Sequence, residues 1–216
     1  MSTSNFWLIR HGETKWNAGK RLQGWRDIAL NETGIEQARH LAQHLSSANF
    51  TDPIDVIVSS DLSRAHETAT IAAGHFGHPV VVNPSLRERN FGVYEGHTLV
   101  MQENGQAGLA DFDLRCPHTP VDQGETLTQF AQRVQDAFEA LAIEYPGRNI
   151  MVFAHGGVID IAWRRAQQLG LDAFRADPIV NASINQFSIH ADRTWTMLNW
   201  GQTHHLTSPE SARVSG

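Results

Sequence analysis

The sequence predicts an α/β fold, a three-layer α/β/α sandwich around a mostly parallel central sheet, and three observations carry that reading. Short apolar runs recur along the chain, separated by amphipathic stretches of helical crossover length, as parallel strands require. The C-terminal part instead holds two alternating stretches side by side, the pattern of adjacent strands. A length of 216 residues with 41% hydrophobic content suits one large domain with a substantial core.

The elements follow in order. Phe6, Trp7, Leu8 and Ile9 form an apolar run between Asn5 and Arg10, the first strand. Residues 15–30, polar and glycine-bearing, read as a long loop. A helix begins near Glu32 or Thr33, with Ile35, Ala38, Leu41, Ala42 and Leu45 at helical spacing. "DVIVSS" (55–60) is a buried strand, and "DLSRAHETATIAAGHF" after it is a second helix with Arg64 in its first turns. "PVVVNP" (79–84) is a short strand followed by the polar turn "LRERNFG". Residues 93–124 have the weakest periodicity, with Gly105, Gly108, Pro117 and Pro120, and read as a helical or loop excursion over the body. "TLTQFAQRVQDAFEALAIEY" is a strongly amphipathic helix, "NIMVFAH" a buried strand, and "GGVIDIAWRRAQQLG" the start of another helix. "INQFSIHADRTWTMLNW" gives two strands with a turn near Ala191 to Arg193, and a flexible tail is expected from about residue 207. A single domain over 1–216, without repeats, is therefore expected.

Charge and composition narrow the function classes. Twenty-three acidic residues against seventeen Lys and Arg give a formal charge of -6, which argues against broad binding to nucleic acid or an anionic membrane. "WRRAQQ" (163–168) reads as the solvent-facing part of a helix rather than a basic stripe. Cys116 is the single cysteine, so neither an internal disulfide nor a thiolate cluster is expected. The chain shows no leader-peptide pattern and no apolar run of about 20 residues, so a cytoplasmic location is expected. The twelve histidines are scattered and show no HExxH or CxxC spacing, so no metal and no cofactor is expected.

Three predicted strand ends carry the chemistry: "IRHG" (9–12), "SSDLSRA" (59–65) and "FAHG" (153–156). In an open parallel sheet such ends converge on one crevice. There they bring together Arg10, His11, Arg64 and His155, with Glu88 added from the loop after the "VVV" strand. Two arginines offer planar, permanently charged donors to phosphate oxygens and stabilise a transferring phosphoryl group. A neutral imidazole in line with phosphorus can attack it and carry it as phosphohistidine. A second imidazole, if protonated, gives charge and hydrogen bonds to the phosphoryl oxygens. Glu88 can hand a proton to the leaving alcohol and then take one from water. Glycine after each histidine removes bulk beside the anion and leaves a backbone N–H available to it. Each residue alone also has a plainer reading: a surface arginine at 64, a Glu88 paired with Arg87 or Arg89, an Asn17 that caps a loop. The combination favours the phosphoryl site.

With these residues in view, "LIRHGET" (8–14), Asn17, "SSDLSRAHETA" (59–69), "LRERNFGVYEG" (86–96) and "FAHGGVI" (153–159) resemble the histidine phosphatase superfamily, also called the phosphoglycerate mutase-like family, from about residue 6 to residue 190. The resemblance implies that His11 is the phosphorylated nucleophile, Arg10 and Arg64 the phosphate clamps, His155 the second histidine of the pocket, and Glu88 the acid and base. It further implies that Asn17 touches the phosphoryl group, that Arg21 and Gly24 line the substrate entrance, and that the Gly156 N–H contributes. The family holds both phosphatases and mutases. Arg115 is the only Lys or Arg from Val93 to Gly124, and the cofactor-dependent mutases carry a longer, more basic segment there, so hydrolysis of a small phosphomonoester is expected. Mutase-type transfer and a non-catalytic phosphate-binding module are the alternatives.

His118 and the "GET" at 124–126 are candidates to face the cavity, with the helix-start reading preferred for the latter. Trp195 and Trp200 are read as core packing. Apolar residues on "TWTMLNW" are candidates to pair two copies as a homodimer through a strand edge.

Overall fold

The structure, a computed structural model, describes residues 2–98, 116–174 and 178–206. One six-stranded sheet runs in the order β3-β2-β4-β1-β5-β6. Its strands are β1 (Thr3–Arg10), β2 (Val56–Ser59), β3 (Val80–Val82), β4 (Asn149–Ala154), β5 (Ile184–His190) and β6 (Trp195–Gln202). The first four pair in parallel, whereas β5 joins β1, and β6 joins β5, antiparallel. The helices are α1 (Lys15–Ala18), α2 (Glu32–Leu45), α3 (Ser63–Ala73), α4 (Leu127–Glu144) and α5 (Gly156–Ala166).

Alternation along the central strands distributes these helices to two faces. Phe6 and Leu8 of β1, with Ile150 and Val152 of β4, share a core with Phe130, Val134 and Phe138 of α4 and Val158 and Ile161 of α5. Trp7, Ile9, Met151 and Phe153 point the other way, against Leu41 and Leu45 of α2 and Ala69 and Ala72 of α3. Strands buried on both faces need apolar side chains at every position, and so β1 and β4 read as continuous apolar runs. The result is the expected α/β/α sandwich.

The loop expected over 15–30 contains one helical turn, α1. Thr14 and Asn17 form a reciprocal capping box there, a local hydrogen-bond pattern that hydrophobic periodicity does not report. Helix α5 ends at Ala166, and Arg164 is buried rather than solvent-facing. It bonds Asp160 at 2.8 Å and donates to the carbonyls of Gly170 and Ala173. Trp195 is 4% exposed and stacks on Phe187 with ring centroids 5.0 Å apart, so packing is its role. Trp200 tilts against Trp163. Most of the excursion expected at 93–124 (residues 99–115), Arg115 included, and the tail expected from 207 lie outside the described residues. Among the described residues no helix is long and apolar enough to cross a membrane.

Candidate active site

The carboxyl ends of β1, β2 and β4 lie side by side and are tied together beyond the last ladder rungs. The His11 amide donates to the Ala154 carbonyl and the Ser60 amide to the Phe153 carbonyl, each at 3.0 Å. His11 and His155 therefore leave neighbouring strands next to each other, with ring centroids 5.2 Å apart. A Cβ on Gly12 would stand 2.4 Å from the Gly34 carbonyl oxygen, so this glycine is required by close approach of α2. That is a packing reason, different from the expected clearance beside an anion.

His11 is buried, and its Nδ1 lies 2.6 Å from the Gly12 carbonyl. A carbonyl only accepts, so the ring proton sits on Nδ1 and Nε2 keeps its lone pair. Burial, then the charges of Arg64 and Arg10, push His11 well below its ordinary value of 6.5. The result is a neutral imidazole with an unprotonated nitrogen beside two guanidinium groups.

Arg64 is completely buried near the start of α3. Its Nη1 donates to the Arg26 carbonyl at 2.9 Å and its Nη2 to the Gly24 carbonyl at 2.8 Å. Burial lowers the guanidinium to about 10, against the pull of Glu88 and Asp27, so it stays charged at neutral pH. Its Nε has no hydrogen-bond partner among the described residues. Arg10 donates from Nη1 to the Ile179 carbonyl.

His155, fully buried, is held well below its ordinary 6.5 by burial and then by Arg64, His11 and Arg10. Its Nε2 is 2.9 Å from Ser60 Oγ, and its Nδ1 is buried with no partner among the described residues. Ser60 Oγ also accepts from the Leu62 amide at 3.3 Å, which holds the hydroxyl behind the imidazole. The conditional expectation of a protonated His155 gives way to a neutral imidazole in the phosphate-free protein, because complete burial and then Arg64, His11, Arg10 and Arg133 disfavour a further charge.

Glu88 lines the same cleft and accepts from the Arg89 amide at 2.9 Å and from the Gly157 amide at 3.0 Å. A Cβ on Gly157 would fall 2.2 Å from Glu88 Oε1, so the second glycine of "HGG" admits the carboxylate to the first turn of α5. Gly156, the first residue of α5, sits beside Arg10, where an added Cβ would make an ordinary 3.5 Å contact with the guanidinium.

Asn17 caps the turn of α1 and also reaches the cleft. Its Oδ1 accepts from the Thr14 amide at 3.1 Å as a cap, while its side chain lines the cleft. Arg21 lines the cleft as well, but Gly24 does not: its carbonyl holds Arg64. His118 is exposed near Thr128 and lines neither lobe of the cleft, and Thr126 is the N-cap of α4.

Sequence reasoning missed Lys20, Gln23 and Phe91 in the cleft wall, Ser60 behind His155, and Asn181, whose side chain donates to the His11 carbonyl at 2.9 Å. Ser60 stood in the quoted strand end "SSD" and could have been found there. Asn181 comes from a segment with no periodic signal.

The cleft has two lobes. One of about 340 Å³ holds Arg10, His11, Asn17, Arg21, Arg64 and Glu88, and the other, of about 390 Å³, shares Leu22, Glu88 and Phe91 with it and continues past Leu127 and Leu171. Among the described residues no group of three or more His, Cys, Asp or Glu is placed to hold a metal ion.

The chain and its fold have known counterparts. Residues 6–203 match the Histidine phosphatase superfamily (branch 1), and the chain belongs to that family, whose members are enzymes of the phosphatase and mutase type. It is 36% identical over 204 residues to the Phosphoglycerate mutase-like protein 4 of Arabidopsis thaliana, covering 92% of this chain and 85% of that one. It is also 36% identical over 210 residues to the Metal-independent phosphoserine phosphatase of the same plant, covering 93% and 82%. The phosphoserine phosphatase of Entamoeba histolytica, solved in complex with 3-phosphoglyceric acid, superposes with a TM-score of 0.79 at 27% identity, over 94% of this chain and all of that one.

Proposed function

We propose that this protein hydrolyses a small phosphomonoester through a phosphohistidine on His11. The observation that carries the reading is the His11 Nδ1 to Gly12 carbonyl bond, which leaves Nε2 unprotonated between Arg10 and Arg64. Nε2 attacks phosphorus as the bond to the substrate oxygen breaks, and Glu88 gives its proton to the departing alkoxide. Arg10 and Arg64 neutralise the phosphoryl oxygens, and His155 and the side-chain amide of Asn17 donate to them. Glu88 then takes a proton from water, which attacks the same phosphorus and returns His11 and inorganic phosphate.

The second lobe, at Glu88, lies where the leaving alcohol must go, so it takes the non-phosphate part of the substrate. Relatives named for phosphoserine and a structure bound to 3-phosphoglyceric acid put three-carbon phosphorylated acids first in any test panel. Mutase-type transfer is the second reading, since a relative is named phosphoglycerate mutase-like and the same phosphohistidine can pass its group to a second hydroxyl.

The test is metal-free phosphate release from a panel of phosphomonoesters, with 3-phosphoglycerate isomerisation followed in parallel and His11→Ala as control. Release abolished in H11A is the expected result. Isomerisation exceeding release selects the mutase, and phosphate binding without either activity selects the non-catalytic module.

A further inference from the structure

We propose that Arg133, oriented by Glu125, is a positioning residue for the acid–base carboxyl of Glu88. The inference rests on the reading of Glu88 given above and deepens it. Glu88 belongs to no strand or helix, and two ion pairs outside the cleft hold its loop, Arg87 with Asp61 and Arg133 with Glu125. Arg133, on α4, presents five N–H donors, and all five are used. Nε and Nη2 donate to the two carboxylate oxygens of Glu125 at 2.7 Å each. Nη1 donates to the carbonyls of Ser85 at 2.8 Å and Arg87 at 3.0 Å, and Nη2 also reaches the carbonyl of Glu88 itself at 3.2 Å.

Glu125 completes the clamp from its own side. Its Oε2 accepts from the Asn90 amide at 2.9 Å, its backbone amide donates to the Asn90 carbonyl at 2.9 Å, and its carbonyl accepts from Arg89 Nε at 3.0 Å. The loop is thus gripped on both sides of Glu88. Trp25 Nε1 adds a further bond to the Glu88 carbonyl at 2.8 Å, and the guanidinium of Arg87 lies over the Trp25 ring. With its backbone fixed, the Glu88 side chain meets the Arg89 and Gly157 amides.

Neither Arg133 nor Glu125 lines either lobe, and although the charge of Arg133 also helps to hold His155 low, Arg133→Lys keeps that charge, so a loss selective for the poor leaving group passes through Glu88. A lysine at 133 would keep the charge but lose the planar fork, and with it the simultaneous hold on Glu125 and three carbonyls.

The experiment compares kcat/KM for two substrates in purified Arg133→Lys, Arg133→Met, Glu125→Gln and Glu88→Gln variants. One substrate is an alkyl phosphate, whose alkoxide needs a proton to leave; the other is dinitrophenyl phosphate, whose phenolate does not. kcat/KM ends at the first irreversible step, so the later role of Glu88 as base does not enter. A general acid contributes about 100-fold or more, and a shift of about 1 Å removes much of it, so the Arg133 and Glu125 variants are expected to lose roughly 30- to 100-fold on the alkyl ester and under about threefold on the aryl ester.

Equal losses on both substrates in a variant with wild-type far-ultraviolet circular dichroism would overturn the positioning role and leave a structural one. If Arg133→Met does not fold, the Arg133→Lys ratio decides by the same criterion. Glu88→Gln separates the two layers of argument. Selective loss there without selective loss at 133 or 125 defeats this inference alone, whereas equal loss on both esters in Glu88→Gln defeats the acid assignment on which it rests.

Discussion

His11 acts as a nucleophile only when neutral, and its surroundings hold it so at any pH near neutrality. Burial and two adjacent guanidinium groups keep it well below 6.5, while the Gly12 carbonyl fixes its proton on Nδ1. In the phosphate-free protein, its Cε1–H resonance is therefore expected not to titrate as pH falls through 6.5, the midpoint of an ordinary histidine. A midpoint at or above 6.5 contradicts the assignment. Ser60 meets His155 through a buried bond, and losing such a bond costs about 1–3 kcal/mol, so Ser60→Ala is expected to lower the chemical unfolding free energy by that amount, and an unchanged urea midpoint would contradict the contact. His11, Arg10 and Arg64 were legible because each stands at the end of an apolar strand or the start of the helix after it. Ser60 stood at such a strand end too, but the roles of Gly157 and Asn181 were not legible, because an amide under a carboxylate or a side chain on a distant carbonyl is a relation between segments that spacing does not encode.

At the scale of elements, the turn His204–Leu206 packs on α2, with His44 against both His204 and His205. His205 Nε2 donates to the Ala182 carbonyl at 3.0 Å, and the Ala182 amide donates to the Arg10 and His11 carbonyls. The turn after β6 thereby supports the backbone of the nucleophile. Burial lowers His205 to about 4, with His44, His204 and His40 adding to the shift and the Ala182 bond opposing it. The unfolded chain takes up its proton first, so the stability that neutral His205 contributes is full above about 6.5 and lost as pH falls toward about 4. Urea midpoints measured from pH 7 to 4.5 are expected to fall, and less steeply in His205→Gln than in wild type. Identical slopes would remove His205 from the account. The capping box of α1 and the end of α5 at Ala166 escaped the sequence reading because they depend on side-chain-to-backbone bonds and on Arg164 turning inward. The amphipathic α4 was readable over nearly its whole length because its apolar stripe is set by burial against the sheet.

For the whole molecule, one face of the sheet is organised by aromatic side chains. Phe187 stacks on Phe6 and on Trp195, with centroids 5.0 Å apart in both pairs, while Phe138 of α4 meets Phe6 edge-on at 5.4 Å. Removing a fully buried phenyl costs about 3–5 kcal/mol, so Phe138→Ala is expected to lower the chemical unfolding free energy by that amount. A loss under about 1 kcal/mol would mean that the layer is not packed as described. The sandwich was legible because alternation on β1 and β4 must feed two helical layers, and the antiparallel β5–β6 hairpin was announced by adjacent alternating stretches. Which strand each apolar run would pair with was not, since the order β3-β2-β4-β1-β5-β6 is decided by crossovers between distant segments.

Covalent transfer of the phosphoryl group to His11 leaves an intermediate that can be trapped. Enzyme mixed with a radiolabelled phosphomonoester in chelator, quenched within milliseconds and digested under alkaline conditions, is expected to yield an acid-labile, alkali-stable label on the peptide containing His11, absent from His11→Ala. Turnover with no label on that peptide at any quench time, or full turnover by H11A, would contradict it.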